Sequence, residues 1–347
     1  MNNACEAFCG GLNCKYCSLP SGLIAKHQAI PGIYSSWIND RILAMARPCA
    51  HLFAKNDLIT KLKEAGIKTI INMQKTNEHN ACGAGNLESG FSYDPSQFMS
   101  EGFFYYNFQW DDFGVGNLED ILEILHIFKF ACKQGKVAVH CHAGLGRTGS
   151  LIACYLIFDE RITGQEAIQL VRAKRPRSIQ TEVQVNTVLA LSKFLRPYQL
   201  HFASASEPKM EEFTLNEYIA RQLKVYTDPQ PCNCKHFPKL ILNLLLNICR
   251  NLTSENCEEH FSRVLHGSKD AGPPPVVAPL PDPQTDVAVS EFVQLVKNYK
   301  YDPSSDAQIK AQINQDNDWL SIVRKVDTLQ SMRLLLAWFY ELKVRVP

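Results

Sequence analysis

The sequence predicts an α/β fold, a mostly parallel sheet flanked by helices, with a helical C-terminal extension. Strand-like and helix-like segments alternate from residue 30 to residue 200, and beyond residue 205 only helix-like segments remain. A glycine-rich turn at residues 142–149 follows a short apolar strand and precedes an apolar helix. That order places the turn at the carboxyl end of a strand, where such sheets bind ligands.

The individual elements follow from hydrophobic periodicity and from capping residues. The predicted strands are 33–38, 42–46, 67–73, 103–108 and 137–140, and the predicted helices of this part are 57–65, 118–133, 150–159, 163–173 and 180–195. Asn56 and Asn117 are the predicted N-caps of the first two helices, which Gly66 and Gly135 end. The polar segment 76–97 is predicted to be an excursion loop. Further helices are predicted at 213–225, 238–252, 287–299 and 330–344.

The length and composition limit the domain organisation and the partners. A chain of 347 residues exceeds the usual size of one core, ~250–300 residues. We predict a cysteine-rich leader (1–29), an α/β domain (30–203), a helical extension (204–271), a proline-rich linker (272–285) and a C-terminal helical segment (286–347). A formal net charge of +1 argues against binding to nucleic acid or to an anionic membrane. We expect no transmembrane segment, because the most apolar stretch, 240–249, is too short to span a bilayer.

The turn His140–Gly149, H-C-H-A-G-L-G-R-T-G, has the composition of a phosphate site. A cysteine at a helix N-terminus gains thiolate character from the macrodipole and from free N–H groups, so Cys141 is the candidate nucleophile. Five residues separate it from Arg147, and their backbone N–H groups can surround one phosphate. The phosphate-binding residues are therefore predicted to be His142, Ala143, Gly144, Leu145, Gly146 and Arg147. Arg147 offers its planar fork to two phosphate oxygens.

The same string resembles the signature of the protein tyrosine phosphatase superfamily, a His-Cys pair followed after five residues by Arg and Ser or Thr. The resemblance implies a phosphocysteine intermediate on Cys141. It also implies that His140 supports the environment of the thiolate and that Thr148 assists its departure. No metal or other cofactor is implied. A structural glycine-rich turn around a buried cysteine is the alternative interpretation.

Two further segments resemble catalytic parts of this superfamily. W-D-D-F-G, residues 110–114, lies where the family carries its general acid, and Trp-x-Asp favours Asp112 over Asp111. The segment 175–184 resembles the one that positions the hydrolytic water in the dual-specificity branch. Gln184 is the first candidate for that role and Gln180 the alternative, while a solvated helix start is also compatible. Basic residues near this segment are candidates for steering anionic substrates or for a plain solvated face: Arg172, Lys174, Arg175 and Arg177.

Together these strings resemble the protein tyrosine phosphatase domain-containing protein family, near the mitotic-exit dual-specificity phosphatases, over residues 28–200. The resemblance implies a phosphorylated protein as substrate, with tyrosine or dual specificity. It also implies a cytoplasmic location with association to the centrosome or the cilium base. One alternative is a phosphoinositide phosphatase, disfavoured because His142 and Leu145 replace the two lysines of such cradles. The other alternative is a catalytically weak phosphate-binding scaffold.

Two signals outside the catalytic strings remain open. Cys5, Cys9, Cys14 and Cys17 either form a zinc site or belong to a reduced, irregular leader. The same question arises for Cys232, Cys234 and His236, and Cys49, Cys82 and Cys154 are candidate redox partners of Cys141. The apolar faces of the C-terminal helices predict either internal packing or a partner protein, with Trp319 and Trp338 as its anchors.

Overall fold

A computed structural model of the chain describes residues 9–17, 28–205, 214–225, 237–252, 290, 293–316 and 318–342. The chain divides into two compact units, Met1–Phe194 and Leu195–Pro347. The predicted proline-rich linker, 272–285, lies outside the described residues, as do Cys5 and the Cys232, Cys234 and His236 group. No helix among the described residues has the length and apolar character needed to cross a bilayer.

The first unit is built on a five-stranded sheet with four of the predicted strands close to their predicted bounds and the fifth shortened to three residues. The strands are β1 (Ser35–Trp37), β2 (Ile42–Met45), β3 (Ile67–Asn72), β4 (Phe104–Asn107) and β5 (Lys136–His140), in the spatial order β1-β2-β5-β3-β4. Only β1 runs antiparallel to its neighbour, and the other three pairings are parallel. β5 is the central strand, and its Val137, Ala138 and Val139 are fully buried. The predicted fold class is confirmed.

Seven helices accompany this sheet in the described part of the first unit. They are α1 (Ala50–Asn56), α2 (Leu58–Glu64), α3 (Ser96–Ser100), α4 (Leu118–Gln134), α5 (Gly146–Glu160), α6 (Gly164–Lys174) and α7 (Glu182–Leu195). The predicted cap Asn117 is confirmed, since its side chain accepts a hydrogen bond from the Asp120 N–H. The predicted cap Asn56 is wrong, because the unpredicted helix α1 ends there and Asp57 occupies the N-cap position of α2. Helix α5 begins four residues before its predicted start.

The leader is not separate from the core of this unit. Cys9, Cys14 and Cys17 are buried in one apolar cluster with Cys49 and Cys82, beneath the first strands. The segment 9–17 therefore packs on the α/β core. This differs from one of the two interpretations of the sequence, in which these cysteines belong to an irregular leader. Thiols are small apolar side chains as well as ligands, which makes this burial favourable.

The second unit is helical in its described residues. Its helices are α8 (Leu215–Val225), α9 (Lys239–Leu252), α10 (Ala307–Gln315), α11 (Trp319–Lys325) and α12 (Thr328–Glu341), and residues 293–298 are also helical. Helices α10 and α11 were not predicted. The apolar faces pack on each other, with Leu240, Leu244, Leu334, Trp319 and Trp338 all inside one core. Both tryptophans are buried in this core, which agrees with the interpretation of internal packing and leaves neither exposed as an anchor for a partner.

Candidate active site

The central strand β5 leads directly into the loop that carries the signature residues. The loop leaves β5 at His140 and winds without a break into α5 at Gly146, so the N–H groups of the first helical turn point toward the loop. Neighbouring backbone fixes its course: the N–H of Arg47 donates to the His142 carbonyl at 2.9 Å, and that of Ile179 to the Leu145 carbonyl at 3.2 Å. This is the geometry of an anion site at a helix N-terminus.

One glycine of the loop has no possible replacement. Gly144 has φ +66°, and a Cβ atom there would lie 1.9 Å from the Met45 carbonyl oxygen. The loop therefore passes directly over the end of β2, at a distance that only glycine permits. The side chain of Leu145 meanwhile packs against Tyr34 and Ala46. We conclude that Gly144 and Leu145 hold the loop in place and face away from the cavity.

Cys141 is the first residue after β5 and is 4% exposed, with its side chain lining a cavity. The preceding His140 is fully buried, and burial lowers the pKa of its imidazole to about 3, so the ring is neutral. Its Nε2 lies 2.8 Å from the Tyr93 hydroxyl, and its Nδ1 lies 3.2 Å from the Cys141 carbonyl oxygen. His140 thus holds the backbone at Cys141, and the role predicted for it at the thiolate stays a prediction.

Arg147 lies in the first turn of α5 and lines the same cavity. Its Nη1 donates to the Met73 carbonyl at 3.1 Å and to the Trp110 carbonyl at 3.0 Å. Its Nε is buried and has no hydrogen-bond partner among the described residues. A buried guanidinium N–H without a partner is costly unless a ligand accepts from it. Arg147 is therefore held in position with one donor still available.

Glu78 is a site residue that the sequence reasoning missed. Its carboxylate accepts from both terminal nitrogens of Arg147, at 2.8 Å from Nη1 and 2.6 Å from Nη2. Burial alone would lower the pKa of Arg147, but the Glu78 bond and the charge of Cys141 raise it, so the guanidinium stays charged. Glu78 lies in the excursion loop 76–97, whose polar sequence gave no signal for this contact.

The loop before α4 brings Asp112 to the cavity and leaves Asp111 outside it. An Asp112 oxygen lies 3.1 Å from Arg147 Nη2, and the other lies 3.1 Å from His79 Nε2. Burial raises the pKa of Asp112, but the His79 bond and the Arg147 charge outweigh it, and the net pKa is lowered. Asp111 is exposed and paired with Lys75. The geometry favours Asp112 as the general acid, as the Trp-x-Asp spacing predicts.

Gln184 and Gln180 both line the cavity, and both side chains lie against Gly146 of the catalytic loop. Its Oε1 accepts from the N–H of Gln180 at 2.8 Å, and its Nε2 is buried without a partner among the described residues. A Cβ atom on Gly146 would meet that Nε2 at 2.9 Å. The hydroxyl of Thr148 is likewise buried with no partner there. Gln184 lines the cavity and Thr148 does not, so the roles predicted for them in the reaction stay predictions.

The predicted basic patch around residue 175 is wrong for its central member. Arg175 is fully buried, donates to the carbonyl oxygens of Gly144 and Ala143, and stacks on the Tyr34 ring with its guanidinium carbon 3.9 Å from the centroid. Burial lowers its pKa to about 10, which still leaves it charged at neutral pH. Arg175 supports the underside of the loop and steers no substrate.

The cavity has a volume of about 360 Å³, small enough to suit a single phosphorylated side chain. Cys141, Arg147 and Asp112 meet in its wall, together with Gly146, His142 and Ala143. Among the described residues that line it, Arg147 is the single lysine or arginine. All the catalytic candidates from the sequence except the fully buried His140 and Thr148 therefore reach one cavity.

Comparison with known proteins agrees with this geometry. Residues 51–193 match the family model of the dual specificity phosphatase catalytic domain. These residues are therefore similar to that phosphatase domain. The predicted resemblance is thereby confirmed, and the first unit carries a phosphatase domain of the cysteine-dependent superfamily.

The relatives of this phosphatase domain are longer proteins. The chain is 47% identical over 251 residues to Protein tyrosine phosphatase domain-containing protein 1 of Danio rerio, a match that covers 71% of this chain and 35% of that relative. The chain thus spans about a third of that length. It is 30% identical over 160 residues to Dual specificity protein phosphatase CDC14B of Mus musculus, covering 44% of this chain and 30% of that one. A kinase associated phosphatase crystal structure is 20% identical, with a TM-score of 0.40, covering 47% of this chain and 95% of that one.

Proposed function

We propose that this chain hydrolyses phosphate monoesters through a phosphocysteine intermediate on Cys141. The observation that carries the proposal is the meeting of three groups in one cavity: a cysteine at a helix N-terminus, an arginine with a donor still available, and an acidic side chain. Cys141 lines the cavity, Arg147 Nε has no partner among the described residues, and Asp112 reaches Arg147 from the opposite loop. A phosphoryl group bound by the loop N–H groups and by Arg147 would lie between nucleophile and acid.

The first step of the reaction transfers the phosphoryl group to the enzyme. The Cys141 thiolate attacks phosphorus, an S–P bond forms, and the P–O bond to the leaving group breaks. Asp112 gives its proton to the departing oxygen. Arg147 and the N–H groups of the loop bind the three remaining oxygens, on which negative charge is spread in the transition state.

The second step releases phosphate. Water attacks phosphorus, the S–P bond breaks with its electron pair returning to sulfur, and the Asp112 carboxylate takes the proton of the water. Gln184 is placed to orient that water through its available amide N–H. The Thr148 hydroxyl would donate a hydrogen bond to the departing thiolate, which makes sulfur a better leaving group.

We propose a phosphorylated protein as the substrate, with room for phosphotyrosine and for phosphoserine or phosphothreonine. Support comes from the charge of the cavity, because the positive charge of Arg147 is paired with the carboxylates of Glu78 and Asp112 and leaves no excess of positive charge for a second phosphate. A phosphoinositide ring would need further cations. The two positions that could supply them hold His142, turned toward Cys14, and Leu145, packed on Tyr34.

The experiment is metal-free hydrolysis of an aryl phosphate by freshly reduced protein. We expect turnover in the wild type, its loss in Cys141→Ser, and its retention in Cys249→Ser, a cysteine of the second unit. Binding of tungstate should survive in Cys141→Ser, because the N–H groups and Arg147 remain. Turnover in Cys141→Ser would overturn the assignment of the nucleophile. Tungstate binding without turnover in the wild type would instead indicate a phosphate-binding scaffold.

A further inference from the structure

Four ligand-type side chains meet beside the catalytic loop, from segments far apart in the sequence. Cys9 and Cys14 come from the leader, Cys82 from the excursion loop, and His142 directly follows Cys141. All four are buried, and their sulfur and ring nitrogen atoms lie within 4.8 Å of one another. We propose that these residues form a structural zinc site.

The distances agree with a tetrahedral site. With Zn–S near 2.3 Å and Zn–N near 2.0–2.1 Å, ligand atoms are separated by about 3.8 Å for two sulfurs and about 3.6 Å for a sulfur and a nitrogen. The Cys9 and Cys82 sulfurs are 3.1 Å apart, and the Cys14 sulfur lies 3.4 Å from His142 Nε2. The Cys9–Cys82 separation must increase by about 0.7 Å, and the longest separation, up to 4.8 Å, must shorten by about 1 Å, for all four to bind one ion.

The backbone around the cysteines is built as a compact support. Four residues separate Cys9 from Cys14, a spacing found in structural zinc sites. The turn between them is tied to the excursion loop next to Cys82, since the N–H of Gly83 donates to the Gly11 carbonyl at 3.0 Å. Gly83 has φ +61°, and a Cβ atom there would meet the Cys17 Cβ at 2.7 Å. The two segments thus approach as closely as glycine permits.

A buried arginine complements the charge expected at this site. Three thiolates and Zn²⁺ together leave one net negative charge. Arg47 is fully buried, and its guanidinium donates to the Cys82 carbonyl at 2.9 Å and to the Cys17 sulfur at 3.4 Å. Groups that donate to the ligands or their backbone orient metal sites and compensate their charge. Arg47 is therefore a supporting residue, and Cys17 lies beside the four ligands.

Zinc here would cross-link the catalytic loop to two segments that carry cavity walls. His142 belongs to the loop of Cys141, Cys82 to the loop of Glu78 and His79, and Cys9 itself lines the cavity. The ion would take no part in hydrolysis, because it would bind through four protein ligands and would leave no position for water or substrate. The proposed ligand set is not the group of four leader cysteines considered from the sequence, Cys5, Cys9, Cys14 and Cys17. It shares Cys9 and Cys14 with that group and adds Cys82 and His142.

The test is the metal content of the purified full chain. After dialysis in reducing, metal-free buffer, we expect about one zinc ion per wild-type chain by elemental mass spectrometry. Cys9→Ser and Cys82→Ser should each lower the zinc content at least severalfold. Cys49→Ser, a buried thiol of the same cluster that is outside the proposed ligand set, should retain it. A wild type without zinc, or unchanged zinc in both ligand variants, would overturn the proposal.

Cobalt substitution of the wild type keeps the test decisive if the ligand variants do not fold. Co²⁺ bound by three thiolates and one imidazole in a tetrahedral site gives strong visible and thiolate charge-transfer absorption, and one equivalent should saturate it. Absence of those bands would overturn the proposal, as would a Cys9–Cys82 disulfide in freshly isolated zinc-free protein. Both readouts are independent of turnover, so a failed metal site is distinguishable from a failed phosphatase.

Discussion

The catalytic loop 140–149 and the excursion loop 76–97 both line the active cavity, but they differ in how they specify it. The catalytic loop carries its chemistry in its own spacing, since Cys141 and Arg147 are joined by five residues that also provide the backbone N–H groups. The excursion loop contributes Glu78 and His79, which form no spaced motif. Glu78 binds Arg147 and His79 contacts Asp112, so the role of each depends on a residue of another segment. The comparison teaches that a motif can specify the anion site while the groups that set its charge come from tertiary contacts.

The largest effect that sharpens this comparison is expected at the general acid. Asp112→Asn should slow hydrolysis of an alkyl phosphate by about 10²–10⁴-fold and an activated aryl phosphate much less, because a good leaving group needs no proton. Steady-state rates on the two substrates measure this. Asp111→Asn is the matched control, with an exposed side chain paired to Lys75. If Asp111→Asn shows the selective loss instead, the loop register is wrong by one residue.

The pH profile gives a second view of Asp112. Burial raises its pKa, but the hydrogen bond from His79 and the charges of Arg147, His79 and His142 outweigh burial, so the pKa lies below the ordinary value. A group with a lowered pKa loses its proton at lower pH. Hydrolysis of a poor substrate should therefore decline as the pH rises from the acid side, and Asp112→Asn should remove that decline. An unchanged profile in the variant would contradict the assignment.

Glu78 is expected to give the next largest effect, and it tests the excursion loop directly. Glu78→Gln keeps one acceptor for Arg147 but removes the negative charge and the second charged hydrogen bond. We expect kcat to fall by about 10-fold, which corresponds to the loss of one charged hydrogen bond. Binding of an oxyanion should be retained or improved, because one negative charge leaves the cavity. Glu88→Gln, in the same loop, is the control. Unchanged kcat in Glu78→Gln would show that Arg147 needs no positioning by this loop.

Much of the first unit and the core of its site are predictable from the sequence, because the residues that specify them are close together along the chain. Four of the five strands lie close to their predicted bounds, and the spacing from Cys141 to Arg147 predicts the anion site. Helix α5 starts earlier than predicted because the glycine-rich loop is already helical at Gly146, where periodicity has no apolar signal. Glu78 and Arg175 could not be assigned, since a polar loop and a basic run have no sequence feature that specifies a buried long-range partner.

The smaller effects concern the supports of the catalytic loop. Arg175→Met should lower the free energy of unfolding by about 1–3 kcal/mol, because the carbonyl oxygens of Gly144 and Ala143 would lose a buried donor. Urea denaturation measures the change, and Arg177→Met, an exposed neighbour, should be near neutral. Equal effects of the two variants would contradict the structural role of Arg175.

Gln184→Leu is expected to have the smallest effect on turnover. In the proposed mechanism its amide orients water in the second step only. We therefore expect kcat to fall severalfold while formation of the phosphocysteine is unchanged, giving a burst of leaving group in rapid-mixing kinetics. Gln180→Leu should not produce the burst. A burst with Gln180→Leu alone would exchange the two assignments.

The most direct test of the central claim is to trap the covalent intermediate. Wild-type protein is mixed with an aryl phosphate and quenched in acid, and mass spectrometry should then detect a peptide with one phosphoryl group on Cys141. Asp112→Asn should be tested in parallel, because loss of the proposed general base of the second step favours accumulation of the phosphocysteine. The account predicts phosphocysteine at Cys141 and no phosphorylated peptide in Cys141→Ser. Turnover without any phosphocysteine, or the phosphoryl group on another residue, would contradict it.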